Sequence, residues 1–181
     1  MELRIVVSEA GKINRQVAAA VAAAEGMQPV AYLDPLSKET AIDGLPVYTD
    51  APFCLEQAKP DVVIDFSNAA WTPALAAACL HAGVRLVCGT TGLAPEFMSF
   101  IETQARERKV GVFIAANFAI GAVLMMHFAA QAARFFDNAE IIELHHDQKV
   151  DAPSGTAKTT AERMRAARKD PFVHPPTEKE I

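Results

Sequence analysis

Residues 3–34, LRIVVSEAGKINRQVAAAVAAAEGMQPVAYLD, decide how the rest of the chain is read. Leu3 to Val7 is a short apolar run of strand character, Arg15 to Glu25 is an alanine-rich helical stretch closing near Gly26, and Pro29 to Leu33 is a second strand ending at Asp34. Strand, helix and strand in 32 residues form a compact βαβ unit, and a parallel pair needs such a crossover.

The alternation continues outward from that unit. A loop with Gly44 and Pro46 leads to a short helix begun by Asp50, with Pro52 in its first turn. Val62 to Ile64 is a strand ending in Asp65-Phe66-Ser67. Thr72-Pro73 reads as the cap and first residue of a helix running to His81 and stopped by Gly83, before the strand Arg85 to Cys88. Gly89-Thr90-Thr91-Gly92, a helix from Pro95 to Arg108, the strand Gly111 to Ala115 and the loop Asn117-Phe118 follow. The expected fold class is α/β: a Rossmann-like doubly wound parallel sheet with helices on both faces. Ile120 to Phe136 is expected to be a long, buried connecting helix, with His127 a core or interface histidine. A strand from Ala139 to Leu144 and a helix from Thr156 to Arg168 would then begin an α+β substrate-binding domain. One strand with one helix cannot bury both faces, so that second domain is expected to be incomplete in this chain. The domains are read as 1–118, a connecting helix over 119–138, and 139–181.

The 181 residues are 51% hydrophobic and 22% charged, the balance of a folded globular protein. A net charge of -5, without basic runs interleaved with aromatics, argues against nucleic acid as a partner. The opening MELRIVV has no signal-peptide pattern and the apolar stretches are too short to span a membrane, so a cytoplasmic location is expected. Cys54, Cys79 and Cys88 are odd in number and set among apolar residues; buried free thiols are expected, with no disulfide framework and no metal site.

In open α/β sheets ligands bind at the carboxyl ends of the strands, which makes the first turn the test of dinucleotide binding. Its small residues are Ser8, Gly11 and Asn14. Glu9 adds a carboxylate that would repel a pyrophosphate unless turned away, and Lys12 and Arg15 add compensating charge. Asp34 lies about twenty residues on, where a carboxylate accepts from the adenine ribose hydroxyls. It reads equally as a strand-ending Asp that begins a turn with Pro35. The first reading leans toward NADH, although Lys12 or Lys38 remain candidates to meet a 2′-phosphate.

The densest chemistry lies in Glu140 to Thr156, EIIELHHDQKVDAPSGT. His145, His146 and Lys149 are proton donors or cations. Ser154, Gly155 and Thr156 begin a helix whose free N–H groups and dipole favour an anion. Together they describe a cationic pocket for a carboxylate or phosphate that can also supply a proton.

The run HHDQKVDAPSGTA closely resembles the HHxxKxDAPSGTA signature of the bacterial 4-hydroxy-tetrahydrodipicolinate reductase (dihydrodipicolinate reductase) family. Gly89-Thr90-Thr91-Gly92 resembles its GTTG loop, Ala116-Asn117-Phe118 its ANF loop, and Asp65-Phe66-Ser67 its DFS or DFT strand end. The order and spacing of these motifs are specific, and the likeness covers nearly the whole chain. The family's first turn is GxxGxxG, and at its positions this chain keeps only Gly11. The resemblance implies a nicotinamide-dependent oxidoreductase, using NADH or NADPH, that reduces 4-hydroxy-tetrahydrodipicolinate to tetrahydrodipicolinate in diaminopimelate and lysine biosynthesis. It implies His145 as general acid or orienter of the proton donor, Lys149 binding substrate and assisting proton delivery, and His146, Ser154, Gly155 and Thr156 holding the substrate's two carboxylates. The implied cofactor contacts are Ser8, Gly11, Lys12, Ile13, Asp34, Phe66, Gly89, Thr90, Thr91, Ala116, Asn117 and Phe118. A homotetramer is the assembly that goes with it. Two other readings remain at this stage: a homologue that has lost cofactor binding through Ser8, Glu9 and Asn14, and another nicotinamide oxidoreductase acting on amino or keto acids.

Overall fold

Ile5 and Val7 face one side of the first strand and Val6 the other, and all three are buried, as alternation along a strand covered on both faces requires. A computed structural model of the chain describes residues 2–145, 147 and 152–173. Its first strand, β1 (Leu3–Ser8), lies between β2 (Met27–Leu33) and β5 (Val62–Asp65), parallel to both. With β3 (Ala41–Ile42), β4 (Leu45–Tyr48), β6 (Arg85–Cys88) and β7 (Val112–Ile114) they form a sheet of order β3-β4-β2-β1-β5-β6-β7. All pairs are parallel except β3 with β4. The chain builds outward from β1 through β2, then crosses to β5. That reversal puts the topological switch point at the carboxyl ends of β1 and β5, where Ser8 and Asp65 are register partners.

Helices cover both faces, as expected. Against Ile5, Val7 and Tyr32 packs α1 (Lys12–Ala23), through Ala18 and Val21. On the opposite face α2 (Ala51–Ala58), α3 (Thr72–Ala82) and α4 (Pro95–Arg108) enclose Val6, Leu33, Val63, Leu75 and Leu86, with all three cysteines buried among them. Asp50 caps α2 by accepting from the Phe53 N–H at 2.9 Å, and Gly83 closes α3 with φ +72°.

Four expectations need correction in this part of the chain. α1 begins three residues before Arg15, because Gly11 already takes the N-cap position. The Gly44–Pro46 loop is a hairpin: Asp43 and Gly44, at φ +51° and +80°, make a two-residue turn joining β3 to β4. The strand expected over Gly111 to Ala115 is shorter, Val112–Ile114. Thr72 is the first residue inside α3 and does not cap it, because its hydroxyl is bonded to Asp65.

Compact units divide at Ala115, the first spanning Met1–Ala115 and the second Ala116–Ile181. The second contains α5 (Ile120–Ala133) and α6 (Gly155–Ala166), which pack on each other. Arg168 stacks its guanidinium 4.2 Å from the Phe172 ring centroid and donates to the carbonyls of Ala133 and Phe136 at the end of α5. α5 is not the buried connector its composition predicts. Only Met126 and Ala133 are buried along it, since a helix apolar on every side has more surface than the one face α6 covers. His127 is exposed and pairs with Gln131 one turn on. Ala139 to Leu144 carries no strand pairing among the described residues, and Ile142 and Leu144 are exposed. Among the described residues no helix is long and apolar enough to cross a membrane.

Candidate active site

The first turn is held from both sides. Glu9 takes a left-handed φ of +63°, uncommon for a residue with a side chain, and its N–H donates to the Leu33 carbonyl at 2.8 Å. Its carboxylate accepts from Asn68 Nδ2 at 2.9 Å. Ala10 donates its N–H to Asp34 Oδ2 at 3.2 Å, and Asp34 Oδ1 accepts from the Leu36 N–H at 3.0 Å. The carboxylate at the end of β2 therefore fastens the turn to the sheet and begins its own turn at once. Arg15 points back, donating to the Ala10 carbonyl at 3.0 Å and standing 3.8 Å from Asp43.

Gly11 caps α1 without a side chain, and a Cβ built there would meet nothing within 4 Å. The helix's first turn thus carries no side-chain cap at its positive dipole end, the arrangement a pyrophosphate requires. Lys12 and Ile13 are exposed in the same turn. A cofactor of this kind fits the residues present.

On the other side of the switch point, Asp65 is fully buried. Its Oδ2 accepts from Thr72 Oγ1 at 2.6 Å, with Thr90 Oγ1 at 3.3 Å and Cys88 Sγ at 3.6 Å also turned toward it. Gly89 donates its N–H to the Asp65 carbonyl at 2.8 Å. A Cβ on Gly89 would come within 2.1 Å of the Phe66 ring, so only glycine lets this ring lie where it does against the GTTG loop. Thr90 turns its hydroxyl inward to this network, while Thr91 is exposed. A groove of about 680 Å3 lies elsewhere, along β7 and the end of α4 by Arg106 and Lys109, and takes in none of these residues.

In the second unit, Asn117 Nδ2 donates to Thr156 Oγ1 at 3.1 Å, while its Oδ1 accepts from the Ala119 N–H at 2.8 Å. Two expected site residues thus meet, and Ala116 and Phe118 flank them. Ser154 caps α6, its hydroxyl accepting from the Ala157 N–H at 3.1 Å. Ser154 in turn donates its own N–H to Glu143 Oε1 at 2.8 Å, and the other oxygen of Glu143 lies 3.7 Å from His145 Nδ1. Glu143 is the residue that sequence reasoning missed. The signal was available: in an extended segment, Glu143 and His145 are two apart and share a face. His146 and Lys149 lie outside the described residues.

The family models for the N-terminus and the C-terminus of dihydrodipicolinate reductase match residues 3–118 and 121–180. This chain belongs to the dihydrodipicolinate reductase family. A 4-hydroxy-tetrahydrodipicolinate reductase of Listeria welshimeri is 44% identical over 179 residues, 94% of this chain and 67% of the relative. One from Dehalococcoides mccartyi is 42% identical over 184 residues, covering 97% and 70%. The chain thus spans about two thirds of the length of the relatives it matches. Among solved structures, a dipicolinate-bound dihydrodipicolinate reductase from Paenisporosarcina superposes with a TM-score of 0.83 at 37% identity, covering 99% of this chain and 72% of that one. The WlbA dehydrogenase of Bordetella pertussis, at 18% identity, 75% and 43% coverage and a TM-score of 0.63, shares the fold alone. Membership makes this a nicotinamide-dependent oxidoreductase, and the reductive step of diaminopimelate and lysine biosynthesis is the reaction that goes with it.

Proposed function

We propose that the chain reduces 4-hydroxy-tetrahydrodipicolinate to tetrahydrodipicolinate, with residues 1–118 binding the dinucleotide, 119–138 connecting, and 139–181 contributing to the substrate site. When bound, the reduced nicotinamide supplies a hydride to the unsaturated ring. The uncapped start of α1, with Gly11, Lys12 and Ile13, faces the pyrophosphate, and Ser8 lines the turn. Asp34 meets the adenine ribose. Phe66, Gly89, Thr90 and Thr91 supply a ring, close backbone approach and a hydroxyl to the nicotinamide end; by resemblance alone, Ala116, Asn117 and Phe118 are further cofactor contacts. Two carboxylates, Asp34 and Glu9, with Pro35 in place of a cation, favour NADH over a cofactor bearing a 2′-phosphate.

The observation that carries the substrate half is the Glu143 bridge. One carboxylate binds the backbone of the α6 cap and stands beside His145, so the proton donor and the anion-binding helix start are set by the same group. Gly155 and Thr156 present first-turn N–H groups to a substrate carboxylate, with Ser154 holding the cap. His145 gives or orients the proton as the ring accepts hydride, and by resemblance Lys149 and His146 complete the cationic lining. A homotetramer in the cytoplasm is the setting the family resemblance supports.

The test is calorimetric titration of the full-length protein with NADH and with NADPH, each with and without pyridine-2,6-dicarboxylate. Micromolar NADH binding, tightened by the dicarboxylate and weaker for NADPH, is the expected result; a folded protein that binds neither nucleotide overturns the reading. His145→Ala and Lys149→Ala variants with unchanged turnover would overturn the roles assigned to those residues.

A further inference from the structure

The three residues that make this first turn unusual, Ser8, Glu9 and Asn14, all bond to one short segment, residues 66–71. Ser8 is completely buried, and its Oγ accepts from Trp71 Nε1 at 3.0 Å. Glu9 accepts from Asn68 at 2.9 Å, and Asn14, also buried, donates Nδ2 to the Phe66 carbonyl at 3.4 Å. The segment receiving them is itself braced. Asn68 Oδ1 accepts from the N–H groups of Ala70 and Trp71, both at 3.1 Å, and Thr72 anchors its far end to Asp65. Asn68 therefore uses its carbonyl within the segment and its NH2 toward the turn, and the two sets of bonds fix which way the amide faces.

Glycine serves in such turns for backbone freedom and for close approach. The first reason does not apply at positions 8 and 14 here, because among the described residues of the turn the left-handed φ falls on Glu9 alone. Neither Ser8 nor Asn14 has a positive φ, and their buried side chains bond to the 66–71 segment. We infer that this turn is preorganised for its dinucleotide by side-chain bonds to residues 66–71 in place of glycines, which makes Ser8, Asn14 and Trp71 positioning residues for the cofactor. The inference rests on the cofactor-binding reading above. It fixes the relative placement of two elements that both face the cofactor, the α1 start and Phe66.

It also reverses the ordinary expectation that glycine at positions 8 and 14 would improve binding. The test is NADH affinity of the full-length chain, measured by titration for the parent and for Ser8→Gly, Asn14→Gly, Trp71→Phe and the Ser8→Gly/Trp71→Phe pair, at a temperature where circular dichroism shows each folded. Each single change is expected to weaken NADH about tenfold. The paired variant should be no weaker than the weaker single, since Ser8 and Trp71 act through one bond. Trp71 is the chain's single tryptophan. Its emission therefore reports the bond directly and should shift in Ser8→Gly without cofactor. Glycine variants that bind NADH as well as the parent or better, or losses that simply add in the pair, would overturn the inference. A parent protein that binds no nucleotide overturns the cofactor reading and this with it, whereas binding by the parent with indistinguishable variants overturns this inference alone.

Discussion

Glu9 sits in the first turn with its carboxyl held above the usual carboxylate range, first by partial burial and then by the charges of Asp34 and Asp65, while the Asn68 hydrogen bond pulls the other way. The sign follows directly. A carboxyl raised in the fold favours the protonated form, so its contribution to stability is present at low pH and is lost as pH rises through the folded value. The same protonation removes a negative charge beside the expected pyrophosphate. Cofactor affinity should therefore rise as pH falls through this range, by about fivefold for a relief of about 1 kcal/mol at intermediate dielectric. Glu9→Gln should bind more tightly at neutral pH and lose that part of the pH dependence. Titrations with the oxidised cofactor, which tolerates acid, would check it, and parallel pH profiles for parent and variant would refute it. Gly89 permits a second prediction at this scale. Gly89→Ala drives the Phe66 ring from its place, since the new Cβ would lie 2.1 Å from it. NADH affinity should drop about tenfold or more for a loss above about 1.4 kcal/mol. Adding Phe66→Ala should make the two losses markedly less than additive, which a double-mutant cycle on the dissociation constant would register.

Between elements, Thr72 marks where local reading stops. Thr-Pro at a helix start has the composition of a cap, yet the Thr72 hydroxyl goes to a carboxylate on β5, a partner visible only once β5 and α3 are packed. The two readings predict opposite outcomes for Thr72→Asp. At a true N-cap, Asp would be tolerated. Against buried Asp65 it brings two carboxylates together, and a loss of about 3 kcal/mol or more in urea unfolding is expected. The elements themselves were legible where burial on both faces writes continuous apolar runs, as in β1, β5 and β6, or where a chemical stop is present, as at Gly83. The β3–β4 hairpin was not, because strands of two and four residues carry no usable period, although Asp43-Gly44 was a usable turn signal. α5 misled in another way. Its composition announced burial, but how much of a helix is covered depends on its neighbours. For the site, residue types were readable from motif spacing, whereas the Glu143 bridge and the ties from the first turn to residues 66–71 are three-dimensional pairings.

Across the whole first unit, the three cysteines become reporters of cooperativity. Cys54 on α2, Cys79 on α3 and Cys88 on β6 share one core on one face of the sheet. Burial pushes the thiols of Cys54 and Cys79 up to about 12, with nearby carboxylates adding to the effect, and burial raises Cys88 also. A thiol so placed is neutral and screened from reagent, so labelling requires opening of the core. Because three elements must part together, the three thiols should react at one common rate at pH 8, equal to the rate set by global opening of this unit. Nicotinamide binding then slows all three alike: at a concentration one hundred times the dissociation constant the linkage is about 2.7 kcal/mol, or about a hundredfold in rate. The raised thiols also fix the alkaline limb. Their stabilising contribution is present below about 9, the unfolded value, and is lost as pH climbs toward about 12, so unfolding midpoints should fall in that window. Mass-resolved alkylation gives the three rates separately. A cysteine that labels faster than its fellows, or that ignores the cofactor, would show that its element opens without the sheet.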